Sequence, residues 1–396
     1  MMPTTSPLFK RIKRHVIGRE RTFFAATPPG FEPLCLQEVL NLHPAVGNAR
    51  VTPGGVEFKG RLDDCYRANL NLRLPNRILM RISAFKSSNF RQLEKKIGAI
   101  PWELFLLPGS RLKVHAATTH CRLHHSAAIS ERFQKTVAGQ LSGIKPDEKS
   151  RKIAAAEQNI FVRGMDDRFT VSIDSSGELL YKRGLKKHAG KAPLRETLAA
   201  AALLLAGYTG SQPLIDPMCG AGTFSLEGAL MAKRIPAGWF RDFAFAGWPS
   251  YLAKRWDYIR RQAHSGFVQP ERPMTFASDT DPDACQRLKG CVEKYGLSDA
   301  VSVYQKDFFD LAPRELTDQT GVICINPPYG RRLGQKHDSQ KIFHAICEKL
   351  KSDYRGWKPV LIAPSKKLAG TVPFATESYP ILHGGLKLTL LVGTIN

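Results

Sequence analysis

"PLIDPMCGAGTFSLEGALMAKRI", Pro213 to Ile235, is the stretch whose reading decides the fold. A short apolar run ends in Asp216, Gly220 and Gly222 follow within a few residues, and apolar side chains then recur at helical spacing. Strand, glycine turn and helix in that order open a parallel α/β unit, because glycine permits left-handed backbone and the close approach of a ligand to the chain. Downstream the alternation continues. "PMTFASD", "AVSVYQKD", "GVICIN", "KPVLIAP" and "LKLTLLVGTI" read as strands, and "DPDACQRLKGCVEKYG" and "SQKIFHAICEKLK" as helices between them. Such a pattern calls for a parallel sheet covered on both faces, with its ligands at the carboxyl ends of the strands.

Upstream of "GKAPLRETLAAAALLLAGY" the texture differs. From Phe23 to about Arg183, strand-like runs ("TFFAAT", "GVEFKG", "NRILMRISAF", "SRLKVHAAT", "FTVSID") lie among helical segments ("FEPLCLQEVLNL", "NFRQLEKKIGAI", "HSAAISERFQKTVAGQLSGI"). This is an α+β pattern, expected to form small sheets with helices on one face.

The 396 residues allow two or three domains, and 43% apolar composition belongs to a globular chain. Lys plus Arg number 58 against 35 Asp plus Glu, a net charge of +23 that points to a polyanionic partner, nucleic acid first. No apolar run approaches the roughly 20 residues that cross a bilayer, and the basic stretch Lys10 to Arg21 lacks the apolar core of a secretory signal, so the expected location is the cytoplasm. That stretch reads as a solvated arm or a tail lying on nucleic acid. The eight cysteines show no paired CxxC spacing, which fits reduced thiols. The histidines of "HCRLHH", His120 to His125, have no second ligand pair, and no metal site is expected.

Set side by side, the strand ends make a site. They carry Asp216 with the glycine turn, Asp279 and Asp281 of "ASDTD", Asp307 of "QKDFF", and Asn326 of "NPPYG". Ser225 occupies the third glycine place of a dinucleotide fingerprint, and no GKS/T follows the turn, so neither a dinucleotide nor a phosphate-cradling loop fits. A nucleoside cofactor without phosphates fits better, since a carboxylate can accept hydrogen bonds from ribose hydroxyls or from an adenine amine. For Asp281, capping the helix that starts near Pro282 is an equal alternative to ribose contact.

"DPMCGAGTF", "SDTD", "KDFF" and "NPPYG" in this order resemble class I S-adenosylmethionine-dependent amino-methyltransferases. With "YKRGLKKHAGKAPLRETLAAA" they are similar to the THUMP-domain RNA guanine-N2 methyltransferases, over roughly Leu180 to the C-terminus. The resemblance implies a Rossmann-like class I sheet preceded by an α+β THUMP/ferredoxin-like region. It divides the chain into a basic arm over 1–22, a ferredoxin-like segment over 23–75, a THUMP-like RNA-binding domain over 76–183 and a methyltransferase domain over 184–396, with an insertion near 240–272. It implies S-adenosylmethionine as cofactor, with Asp216, Cys219, Gly220, Gly222 and Thr223 at its methionine end, Asp279 on the ribose and Asp307 on the adenine amine. Arg195, Glu196 and Thr197 would flank the cofactor or position the target. The implied substrate is RNA, 23S rRNA among the family's targets, held by Arg122, Lys187, Arg331 and Arg332, with no obligate protein partner.

"NPPYG" suits methylation of an exocyclic amine, whose lone pair is delocalised into the ring. Asn326 can accept one N–H and a backbone carbonyl, that of Pro327, the other, while Pro327 and Pro328 fix the backbone and remove donors. Tyr329 offers a ring on which an extruded base can stack, worth about 1–3 kcal/mol. Cys219 and Cys324 read as small buried residues rather than nucleophiles. The motif suits guanine N2 or adenine N6 equally, and the choice of guanine rests on the resemblance. A DNA or RNA adenine-N6 methyltransferase and a noncatalytic RNA-binding assembly factor are the alternatives.

Overall fold

The computed structural model describes residues 6–42, 46, 48–142, 157–186, 194–328 and 336–396. The chain divides into two units: Met1–Thr27, Cys35–Leu180 and Arg241–Arg261 form the first, and Pro28–Leu34, Tyr181–Phe240 and Gln262–Asn396 the second.

Among the described residues seven strands build the first unit: β1 (Arg21–Ala26), β2 (Arg50–Thr52), β3 (Gly55–Gly60), β4 (Arg77–Lys86), β5 (Arg111–Thr119), β6 (Glu157–Met165) and β7 (Arg168–Asp174). They form one sheet in the order β2-β3-β1-β4-β7-β6-β5, rather than the several small sheets expected. The reason is the length of β4. Its first residues pair with β1 and its remainder with β7, across a register shift between Arg81 and Ser83, so a single strand joins both halves. Helices Leu62–Asn71, Phe90–Gly98 and Ser126–Leu141 bury Leu70, Leu93, Ile97, Ile129 and Phe133.

The basic N-terminal stretch is not a solvated tail. Pro7–Ile12 is helical, Ser6 caps it by accepting from the Phe9 amide, and Ile12 and Val16 are buried. Residues Arg241–Arg261, which interrupt the second unit in sequence, also belong to the first. The ring of Tyr66 lies 4.5 Å from that of Phe245 and 6.0 Å from that of Trp256. Trp248 donates its indole N–H to Gln158 at 3.0 Å. These aromatics pack, whereas Tyr258, on the same helix as Trp256, is largely exposed.

In the second unit β8 (Leu214–Asp216), β9 (Thr275–Asp279), β10 (Val301–Gln305), β11 (Val322–Ile325), β12 (Lys358–Ala363), β13 (Thr376–His383) and β14 (Leu386–Gly393) lie in the order β10-β9-β8-β11-β12-β14-β13. The first five in that order are parallel, whereas β14 runs antiparallel to both neighbours, so the sheet is mixed rather than wholly parallel. Apolar residues cover it on both sides. Phe343, Ile346 and Leu350 of the helix Lys336–Asp353 fill one cluster, and Leu226 and Leu230 of the helix Thr223–Ala232 fill the other with Leu288 and Val292. Strands β8 and β11 are neighbours although far apart in sequence. The order of connection reverses there, which leaves a crevice beyond their carboxyl ends.

Candidate active site

The two turn glycines after β8 both take positive φ, +48° at Gly220 and +66° at Gly222, for different reasons. A Cβ on Gly222 would come within 2.3 Å of the Leu288 side chain, so packing demands glycine there. A Cβ on Gly220 would meet nothing within 4 Å, which leaves room for a ligand against the backbone.

Asp216 lies behind this turn, 1% exposed, and its Oδ2 accepts from the Ser225 amide at 3.1 Å and the Ser225 hydroxyl at 2.6 Å. Burial pushes its carboxyl up to about 6, against the opposing pull of those two bonds. At the end of β9, Asp279 accepts from the Gly220 amide at 2.8 Å through Oδ2 and from the Asp281 amide at 3.0 Å through Oδ1. Each oxygen keeps a second lone pair for a further donor. Asp281 accepts from the Asp283 amide at 2.9 Å and caps the helix Pro282–Lys294, the structural one of its two readings. After β10, Asp307 accepts from the Phe309 amide at 2.9 Å and remains partly exposed.

Lys186 is the residue that sequence reasoning missed as an individual. It adjoins Lys187, which the resemblance gives to RNA, yet it turns inward. Its Nζ donates to Thr223 Oγ1 at 2.7 Å and pairs with Glu196 at 3.4 Å, with its side chain 11% exposed. A cation is thus fixed at the first residue of the helix that follows the glycine turn. The signal available in sequence was the nearby Glu196, a carboxylate needing a partner. The Arg195 guanidinium lies over the Tyr181 ring, 5.5 Å from its centroid, and Thr197 is fully buried in the helix Glu196–Leu205.

Asn326 is the first residue beyond β11, on the same edge as the glycine turn. Its side-chain oxygen is buried and has no hydrogen-bond partner among the described residues. An acceptor left in that state costs about 1–3 kcal/mol, so a donor brought to it is strongly favoured. Pro327 and Pro328 follow and compete with no N–H of their own. Tyr329, Arg331, Arg332 and Lys187 lie outside the described residues. Burial raises the thiol pKa of both Cys219 and Cys324, so neither is primed as a thiolate.

Arg122, in the first unit, is exposed and pairs with Asp167 at 3.5 Å. Among the described residues no three His, Cys, Asp or Glu side chains group as metal ligands, and no helix is long and apolar enough to cross a membrane.

Two family profiles match the chain: "RMKL-like, methyltransferase domain" over residues 183–376 and "RlmL ferredoxin-like domain" over residues 22–79. A Synechocystis protein, slr0064, provisionally named an RNA methyltransferase, is 31% identical over 94% of this chain and 96% of its own length. The ribosomal RNA large subunit methyltransferase K/L of Methylococcus capsulatus is 31% identical over 92% of this chain, which spans only 50% of that protein. A solved structure from Listeria monocytogenes, described as a predicted N6-adenine-specific DNA methylase, superposes with TM-score 0.82 at 26% identity, over 95% of this chain and 96% of that one. The architecture is therefore a Rossmann-like class I sheet preceded by a ferredoxin-like region.

Proposed function

The chain belongs to the RMKL-like methyltransferase family, and on that premise we propose that it methylates the exocyclic N2 amine of a guanine in RNA, with 23S rRNA of the cytoplasm as substrate. S-adenosylmethionine supplies the electrophilic methyl group on a sulfonium. The residues present fit it: the space at Gly220 admits a ligand against the backbone, Asp279 retains acceptor capacity for ribose hydroxyls, Asp307 for the adenine amine, and Lys186 with Glu196 can meet the charges of the amino-acid end.

The observation that carries the reading is the unpartnered Asn326 oxygen at the mouth of the crevice. An amine conjugated with a purine ring becomes nucleophilic when its lone pair turns out of the ring plane. Asn326 Oδ1 and the carbonyl of Pro327, each taking one N–H, favour that geometry and polarise both bonds. Were the amine to take the methyl group, the sulfonium S–CH3 bond would break to leave the neutral thioether, the nitrogen would become cationic with the Asn326 dipole stabilising that charge, and one N–H proton would pass to solvent. Alignment of amine and methyl group supplies most of the rate. The charge of +23 holds the polyanion.

Adenine N6 is the second reading, favoured by the description of the Listeria relative and by a motif that suits either amine. The test is transfer from methyl-labelled S-adenosylmethionine into unmodified 23S rRNA, tRNA and DNA, followed by digestion to nucleosides. N2-methylguanosine from rRNA is expected. N6-methyladenine, or label in DNA alone, would overturn the guanine assignment.

A further inference from the structure

We infer that an open cationic cleft on the sheet of the first unit is a binding site for a phosphodiester strand of the RNA, built from residues other than those that hold the target amine. The inference rests on the RNA reading proposed above and deepens it. The cleft has a volume of about 490 Å³, and Arg81, Lys86, Arg163 and Arg168 all line it.

Register puts these cations on one face. Lys86 of β4 stands directly opposite Arg168 of β7, Arg81 opposite Ser172, Arg163 of β6 opposite Thr170, and Met165 opposite Arg168. Like charges directly opposed across a sheet are destabilising, so this arrangement works against the fold unless an anion compensates it. The two carboxylates of the cleft are already engaged. Glu57 pairs with Arg50 at 3.0 Å and Arg81 at 3.5 Å, and Asp166 faces His120 at 3.7 Å. Lys86, Arg163 and Arg168 have no carboxylate partner among the described residues.

Arg81 is the built part of the site. Its guanidinium is held 4.6 Å from the centroid of the Phe24 ring, one nitrogen donates to the Ser172 hydroxyl at 3.1 Å, and its buried Nε faces Glu57 Oε1 at 3.5 Å, an ion pair without hydrogen-bond geometry. Burial lowers its pKa against the opposing pull of Glu57, with the Arg163 charge adding to the lowering, and a further anion would favour the charged form. The cations span β4, β7 and β6, two interstrand spacings or about 10 Å. That is wider than one phosphate and suits a chain of them. Met165, 43% exposed beside Arg168, gives an apolar wall for a sugar or base.

The experiment measures binding of in vitro transcribed 23S rRNA at several salt concentrations. It compares wild type, Arg163→Glu/Arg168→Glu and, as a matched charge change on an exposed helix face, Lys95→Glu/Lys96→Glu. The cleft variant should bind at least about tenfold more weakly with a salt slope lower by about two, while the matched variant loses much less. Unchanged S-adenosylhomocysteine affinity reports an intact second unit. Arg163→Gln/Arg168→Gln, which relieves repulsion, should keep or raise the melting temperature and shift RNA binding the same way by a smaller factor. Equal losses in the cleft and matched variants, or no loss in either, overturn the cleft while RNA methylation by wild type still stands. Wild type that binds no rRNA overturns the RNA reading and this inference together.

Discussion

Asp279, at the end of β9, accepts the backbone N–H of Gly220 at 2.8 Å, so one strand end holds the turn that leaves its neighbour. The same carboxylate keeps lone pairs for ribose hydroxyls, which joins the shape of the turn to cofactor binding. Asp279→Ala should weaken S-adenosylhomocysteine binding by more than about tenfold, about 1.4 kcal/mol, and Asp279→Asn by less, by calorimetric titration. Wild-type affinity in the alanine variant would remove Asp279 from the site.

The two turn glycines should fail differently. Gly222→Ala places a methyl against Leu288 at positive φ and should cost roughly 1–3 kcal/mol of stability. Gly220→Ala meets no protein atom and should cost about 1 kcal/mol, yet it fills the space a ligand needs and should abolish cofactor binding. Thermal unfolding and binding measured on both variants test the contrast, and a Gly220→Ala protein that binds normally would show that space to be idle.

Lys186, fixed between Thr223 and Glu196, should act on the amino-acid end of the cofactor. Lys186→Met should lose about tenfold or more in affinity for S-adenosylhomocysteine. Affinity for 5′-methylthioadenosine, which lacks the amino-acid end, should stay within about twofold. Equal losses for the two ligands would make Lys186 a purely structural residue.

Much of the second unit was legible in sequence because its strands are buried, short and bounded by glycine, proline or acid. All six expected strands form, from β8 to β14. The strand passed over, β13, contains Pro380, which normally argues against a strand, but β13 is the sheet edge where a missing donor is tolerated. In the first unit β6 escaped notice because Gly164 interrupts its pattern. That glycine is required, since a Cβ there would come within 2.9 Å of the Phe169 ring. The helix Leu62–Asn71 was hidden by its polar start, Asp63 and Asp64. The acidic strand ends were plain because each acid closes a strand-like run. Which way Lys186 points was not, because a lysine in a basic run looks the same whether it faces water or a carboxylate.

Asp216 makes a pH-dependent contribution. Its carboxyl sits near 6 when folded, above the ordinary value of 3.8, so the folded state binds the extra proton between those limits. Stability from this group is full below about pH 4 and is lost as pH rises through about 6, by roughly 3 kcal/mol at most. Asp216→Asn should remove the slope. The difference in unfolding free energy, wild type minus variant, should therefore fall between pH 4 and pH 6.5, and a flat difference would contradict a carboxyl raised by burial.

The most direct test of the account is Asn326→Ala, measured by single-turnover methyl transfer to 23S rRNA alongside S-adenosylhomocysteine binding. Losing the oxygen that orients the amine should lower the rate by about 10²–10³ while cofactor affinity stays within about twofold. Transfer at the wild-type rate would mean that the unpartnered oxygen beyond β11 does not hold the target amine.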